Sequence, residues 1–146
     1  MGMFPDIFMP KPGRFGVQPT YLVQRINTGT LAAGTATHNL GTIPAKCVIN
    51  KVVVSAATYP TAATNCTITL VKRDVSAAGD VTISNAIDVN AKTAQTVQSG
   101  TLVSSLTQAQ KTLDSGDQIK ISMVTTGSVT VQPSDLVVSV ELLVLA

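Results

Sequence analysis

Charge is what this chain has least of. Of 146 residues, 12% are charged and 3% aromatic; tryptophan is absent, and there are one histidine and two cysteines. Soluble domains commonly carry about 25% charged residues. A surface this poorly solvated has to be covered in part by something else, most simply by copies of itself or by a larger assembly. Each further absence removes a class of function. The net charge of +2, with Lys and Arg scattered and no aromatic residues among them, leaves no footprint for nucleic acid. The densest apolar run, Leu142 to Ala146, is far too short for a helix to cross a bilayer, so no membrane partner is expected. The opening stretch is broken by Pro5, Pro10, Pro12 and Pro19 and lacks the apolar core of an export signal, so synthesis and assembly in a cytoplasm are expected. A chain of this length buries a core without staples. Cys47 and Cys66 therefore need not be bridged, and without partner histidines or further cysteines they make no zinc set. They read as small buried hydrophobes.

A catalytic constellation is also missing. His38 stands between Thr37 and Asn39 without a nucleophile motif, and general acid–base work needs positioned partners; a surface or interface loop is the expected place for it. No GxSxG, HExxH or phosphate-cradling loop is present. Asp114-Ser115-Gly116-Asp117 is the best metal candidate, two carboxylates around a glycine. It lacks the alternating oxygens and closing glutamate of a calcium loop, and the same residues make a tight turn into a strand at Ile119. Asn65-Cys66-Thr67 matches a glycosylation acceptor but falls inside a strand pattern. No enzyme activity, cofactor or metal is expected.

What is present is β-branched sequence with strand periodicity. Cys66, Ile68 and Leu70 alternate with Asn65, Thr67 and Thr69; Ile119, Ile121 and Met123 alternate with Lys120 and Ser122. Leu136, Val138, Val140, Leu142 and Val144 share one face of a last strand. Val137, Leu143 and Leu145 lie on its other face, which marks that face as a contact with a second layer or a second subunit. Further strands are expected over 21–27, 46–56, 81–84, 87–90, 101–104 and 129–132, with turns at Gly41, Ser99-Gly100, Ser115-Gly116-Asp117 and Thr126-Gly127 among others. Only 106–113 has helical character, enough for one turn. About eight short strands at this spacing indicate an antiparallel sandwich or barrel over 20–146. Residues 1–19 read as an extended N-terminal arm. Its apolar residues Phe4, Ile7, Phe8, Met9 and Phe15 are anchors, and Lys11 and Arg14 polar clamps, for docking on a partner, because leaving such groups in water is costly.

Two stretches carry a resemblance: Leu40-Gly41-Thr42-Ile43-Pro44-Ala45-Lys46-Cys47-Val48-Ile49, leading into a valine-rich strand, and the late turn Ser115-Gly116-Asp117-Gln118-Ile119. Over 37–146 the chain resembles small β-sandwich structural proteins of tailed bacteriophages, most of all the jelly-roll decoration, or cement, proteins of the head. The resemblance implies a jelly-roll-like sandwich, a non-enzymatic capsid-stabilising role in the virion, the major capsid protein or other virion proteins as partners, and a homo-oligomer, with a trimer favoured. A tail, portal-vertex or fibre-base component is the nearest alternative. A carbohydrate-binding module is the alternative from another class, with only Tyr21 and Tyr59 to serve as sugar platforms outside the arm.

Overall fold

The computed structural model describes residues 17–26, 29–76 and 79–145, residues 17–19 by their main chain alone. Six nine-residue strands form the frame: β1 (Val17–Arg25), β2 (Gly34–Thr42), β3 (Cys47–Ser55), β5 (Asn65–Arg73), β10 (Gln118–Thr126) and β12 (Val137–Leu145). Shorter strands complete it: β4 (Thr61–Ala62), β6 (Asp80–Thr82), β7 (Ile87–Asp88), β8 (Val97–Gly100), β9 (Thr112–Leu113) and β11 (Val129–Val131). The one helical turn is α1 (Gln108–Lys111), started by a capping box in which the Thr107 hydroxyl accepts from the Gln110 N–H and the Gln110 side chain accepts from the Thr107 N–H.

The ladders are antiparallel, and their order is that of a rolled-up hairpin. β1 pairs with β12, β2 with β10, β3 with β8 and β9, and β5 with β6 and β7. Among the six long strands the first thus meets the last and the second meets β10, the next to last of them. Two sheets result, β1-β12-β3-β8 and β2-β10-β5-β6, with β4 and β11 as a separate two-stranded ribbon. The fold is an all-β antiparallel sandwich with the strand order of a jelly roll, as the periodicity and the resemblance together lead one to expect.

Period-two alternation drives one face of each sheet inward. Leu136, Val138, Val140 and Leu142 of the first sheet are buried with Cys66, Ile68, Leu70, Ile119, Ile121 and Met123 of the second. β3 keeps its apolar residues inside only by changing parity midway. Cys47 and Ile49 are buried, and then Val52 and Val54; the register with β12 passes from Ile49↔Leu142 to Lys51↔Glu141, leaving Asn50 as the extra residue of a bulge.

Two expectations fail for identifiable reasons. A strand over 101–104 is displaced: the strand is Val97–Gly100, and beyond it only Leu102 forms an isolated bridge, with Ser84. Gly100 belongs to the strand because the chain passes too close to its neighbours for a side chain; a Cβ there would come within 2.7 Å of Ile87 Cδ1. The turn expected at Gly41 lies inside β2, an edge strand in which Ala36, His38 and Leu40 face inward. Its glycines and hydroxyl residues hide the strand signal. β1 starts at Val17, so pairing with β12 reaches into the last residues of the stretch read as an arm.

Candidate functional site

The two outward faces of the sandwich differ in chemistry. On the second sheet, cross-strand rows read Thr37–Ser122–Thr69 and Asn39–Lys120–Val71–Thr82, a polar, hydroxyl-rich surface. On the first sheet the rows read Arg25–Val137–Ser55–Val97 and Val23–Ser139–Val53–Ser99. Val23, Val137, Val53 and Val97 therefore run as a zigzag across all four strands, each a diagonal neighbour of the next. Val23 and Val97 are 60% and 59% exposed, and Tyr21 in the next row is 57% exposed. Such a band on an outward sheet face is a candidate contact surface.

Val137, Leu143 and Leu145 all belong to this face. Val137 and Leu143 are half-buried and Leu145 is 38% exposed, while Val138, Val140 and Leu142 beside them point into the core. β12 is central in its sheet, between β1 and β3, and the opposite sheet lies on its other side. Among the described residues no second layer covers the face that carries them. Tyr21, Val23, Val53 and Val97 join it through register alone. Their signal in the sequence is parity: in β1 the odd residues face out.

Arm residues Phe4, Ile7, Phe8, Met9, Lys11, Arg14 and Phe15 lie outside the described residues.

The remaining chemical candidates are absorbed into the fold. Asp117 is fully buried, and its carboxylate accepts the N–H groups of Val75 and Asp114, each at 2.9 Å. Lys72 Nζ lies 3.5 Å from the same carboxylate and donates to the Thr112 carbonyl at 2.9 Å. The Asp117 main chain closes the turn on Asp114 and accepts from Ile43. Asp114-Ser115-Gly116-Asp117 is thus a turn that staples three segments, and Gly116 takes the left-handed φ of +94° that the turn requires. Among the described residues no group of three or more His, Cys, Asp or Glu is placed to hold a metal.

His38 lies in the edge strand β2, not in a loop, and pairs across with Ile121. Its Nε2 is enclosed without a hydrogen-bond partner among the described residues. No nucleophile accompanies it. Cys47 and Cys66 are free and buried, on strands of opposite sheets. Burial pushes both thiols above the ordinary range, helped at Cys47 by the charge of Asp117; at Cys66 the Thr125 hydroxyl partly offsets it. Thiols held protonated in this way are poor nucleophiles. Asn65 is exposed at the start of β5, and Cys66 and Thr67 follow within the strand. Tyr59 is buried, its hydroxyl 2.6 Å from the Thr96 carbonyl, and only Tyr21 presents an aromatic ring to solvent among the described residues.

Surface hollows among the described residues include two small ones. One of about 120 Å³ is lined by Leu31, Gly34, Ala36 and Met123, and one of about 240 Å³ by Ile49, Val52, Gly100 and Leu102. Both fall below the ~300–1,000 Å³ of ordinary ligand sites. No family model, curated protein or solved structure matches the chain, so function has to be argued from these residues.

Proposed function

We propose that this protein is a non-enzymatic structural component of a tailed-phage virion, a decoration or cement protein that binds and stabilises the capsid by self-association and by its N-terminal arm. The observation that carries the proposal is the asymmetry of the two outward faces. A charge-poor jelly roll with mostly polar rows on one sheet and, on the other, a valine zigzag set between serines is suited to standing on a surface and touching its neighbours. The partner on the particle is the major capsid protein, with which the arm residues Phe4, Ile7, Phe8, Met9 and Phe15 would bury apolar area, at roughly 25 cal/mol per Å² before the costs of association.

Nothing favours a tail, portal-vertex or fibre-base position over the head. A carbohydrate-binding role has little support, since the buried Tyr59 leaves Tyr21 as the one exposed aromatic ring among the described residues.

Co-sedimentation with particles stripped of this protein tests the proposal. The truncation should remove Met1 to Gly16 and stop there, because β1 begins at Val17. The truncated chain is expected to keep its β circular dichroism and to lose binding by at least tenfold. Unchanged binding of the folded truncation would refute the role given to the arm.

A further inference from the structure

Hydrogen bonds at one end of β1 fix the direction of every main-chain group along it. Ile26 N–H donates to the Leu136 carbonyl at 2.7 Å, which makes 26↔136 a hydrogen-bonded pair of the β1–β12 ladder. In an antiparallel ladder such pairs alternate. The even residues of β1 are therefore spent on β12, and the N–H and C=O groups of Tyr21, Val23 and Arg25 point to the open edge. Pro19 has the same parity and is tolerated there because it has no N–H to donate. Tyr21 and Val23 are also the exposed large hydrophobic residues of the strand. An edge that no strand pairs among the described residues is a template for another strand.

We infer that a second copy of this chain supplies that strand, and that β1 pairs with β1 of the partner copy, antiparallel, across a twofold axis at Val23. In this register Val23 faces its own counterpart and Tyr21 faces Arg25, so each residue with an outward N–H meets one with an outward carbonyl. Centring the pair on Tyr21 or between Tyr21 and Val23 would set Pro19 against Val23 or Arg25 and lose a hydrogen bond each time. Charge complementarity points the same way. Tyr21 lies beside Glu141 in the β1–β12 ladder, and Glu141 has no ion-pair partner among the described residues. Arg25, whose own bridge to Asp135 is exposed at both ends, would reach across Tyr21 of the partner copy towards that carboxylate. An edge-to-edge contact is small, so the dimer should be concentration-dependent in solution and favoured where copies are crowded. The inference rests on β1 alone and does not require the virion role.

Cysteine cross-linking of the full chain tests it, and the buried Cys47 and Cys66 add no background. Val23→Cys is expected to give a disulfide-linked dimer under mild oxidation. Tyr21→Cys mixed with Arg25→Cys should cross-link, and Tyr21→Cys alone should not. Val23→Pro removes an N–H that β12 does not use, so it should abolish the dimer in sedimentation equilibrium while the sandwich still melts cooperatively. A monomer at every concentration, a trimer without the Val23→Cys cross-link, or a cross-link that forms only after Met1 to Gly16 are removed would each overturn the proposal.

Discussion

Asp117 shows how a motif that invites a metal reading can be consumed by the fold. Its two carboxylate oxygens accept main-chain donors from the turn and from Val75, and Lys72, almost fully buried, closes the network. Removing one partner of a buried pair leaves the other uncompensated, at a cost of about 3–5 kcal/mol. Asp117→Ala is expected to lose that much stability in urea denaturation, and more than Lys72→Met, because it also strands the Val75 and Asp114 N–H groups. Equal losses would mean that the carboxylate acts only as a counter-ion. The turn was legible in the sequence from Gly116 and the flanking carboxylates. Lys72 was not singled out, although parity pointed to it: it continues the inward row of Cys66, Ile68 and Leu70.

At the scale of elements, the strands whose two faces differ were the legible ones. β5, β10 and β12 alternate cleanly, and their inward rows are the rows the periodicity predicts. β2 escaped because an edge strand at the rim of a sandwich buries little, so Gly34, Thr35, Thr37 and Gly41 carry no apolar period. β3 was legible as a strand and illegible as a bulged one. The Asn50 side chain donates to the Glu141 carboxylate at 3.3 Å, and as the extra residue of the bulge it moves the inward row of β3 from odd to even numbers. Asn50→Ala is expected to cost under about 0.5 kcal/mol, as a surface substitution does. Deleting Asn50 would close the bulge into a regular ladder, Ile49 opposite Leu142 and Lys51 opposite Glu141, with Val52 and Val54 still inward, and is expected to leave thermal unfolding cooperative. A deletion variant that no longer unfolds cooperatively would show that the bulge itself is needed. The edge geometry of β1 was equally hidden, since no composition signal tells which of two alternating rows faces an open edge.

For the whole molecule, low charge was the earliest clue and the outward faces give it a location. The outward rows of the second sheet are mostly polar, while the first carries Tyr21, Val23, Val53, Val97, Val137, Leu143 and Leu145 on one surface, interleaved with Arg25, Ser55, Ser99 and Ser139. Composition alone announced that some surface is covered; assigning that surface required the register of four strands. The jelly-roll order follows from pairing first strand with last, which turn signals do not specify; in the proposed role the N-terminal stretch, set apart by its composition, would be a second attachment element. The measurement that tests the structural role most directly is the copy number of this chain in purified particles, by quantitative mass spectrometry against the most abundant shell protein. A count of the same order as the shell protein is the expected result and fits decoration of the whole head. Absence from particles would contradict the structural role outright, and a count of only a few copies would contradict the head assignment and move the protein to a vertex or the tail.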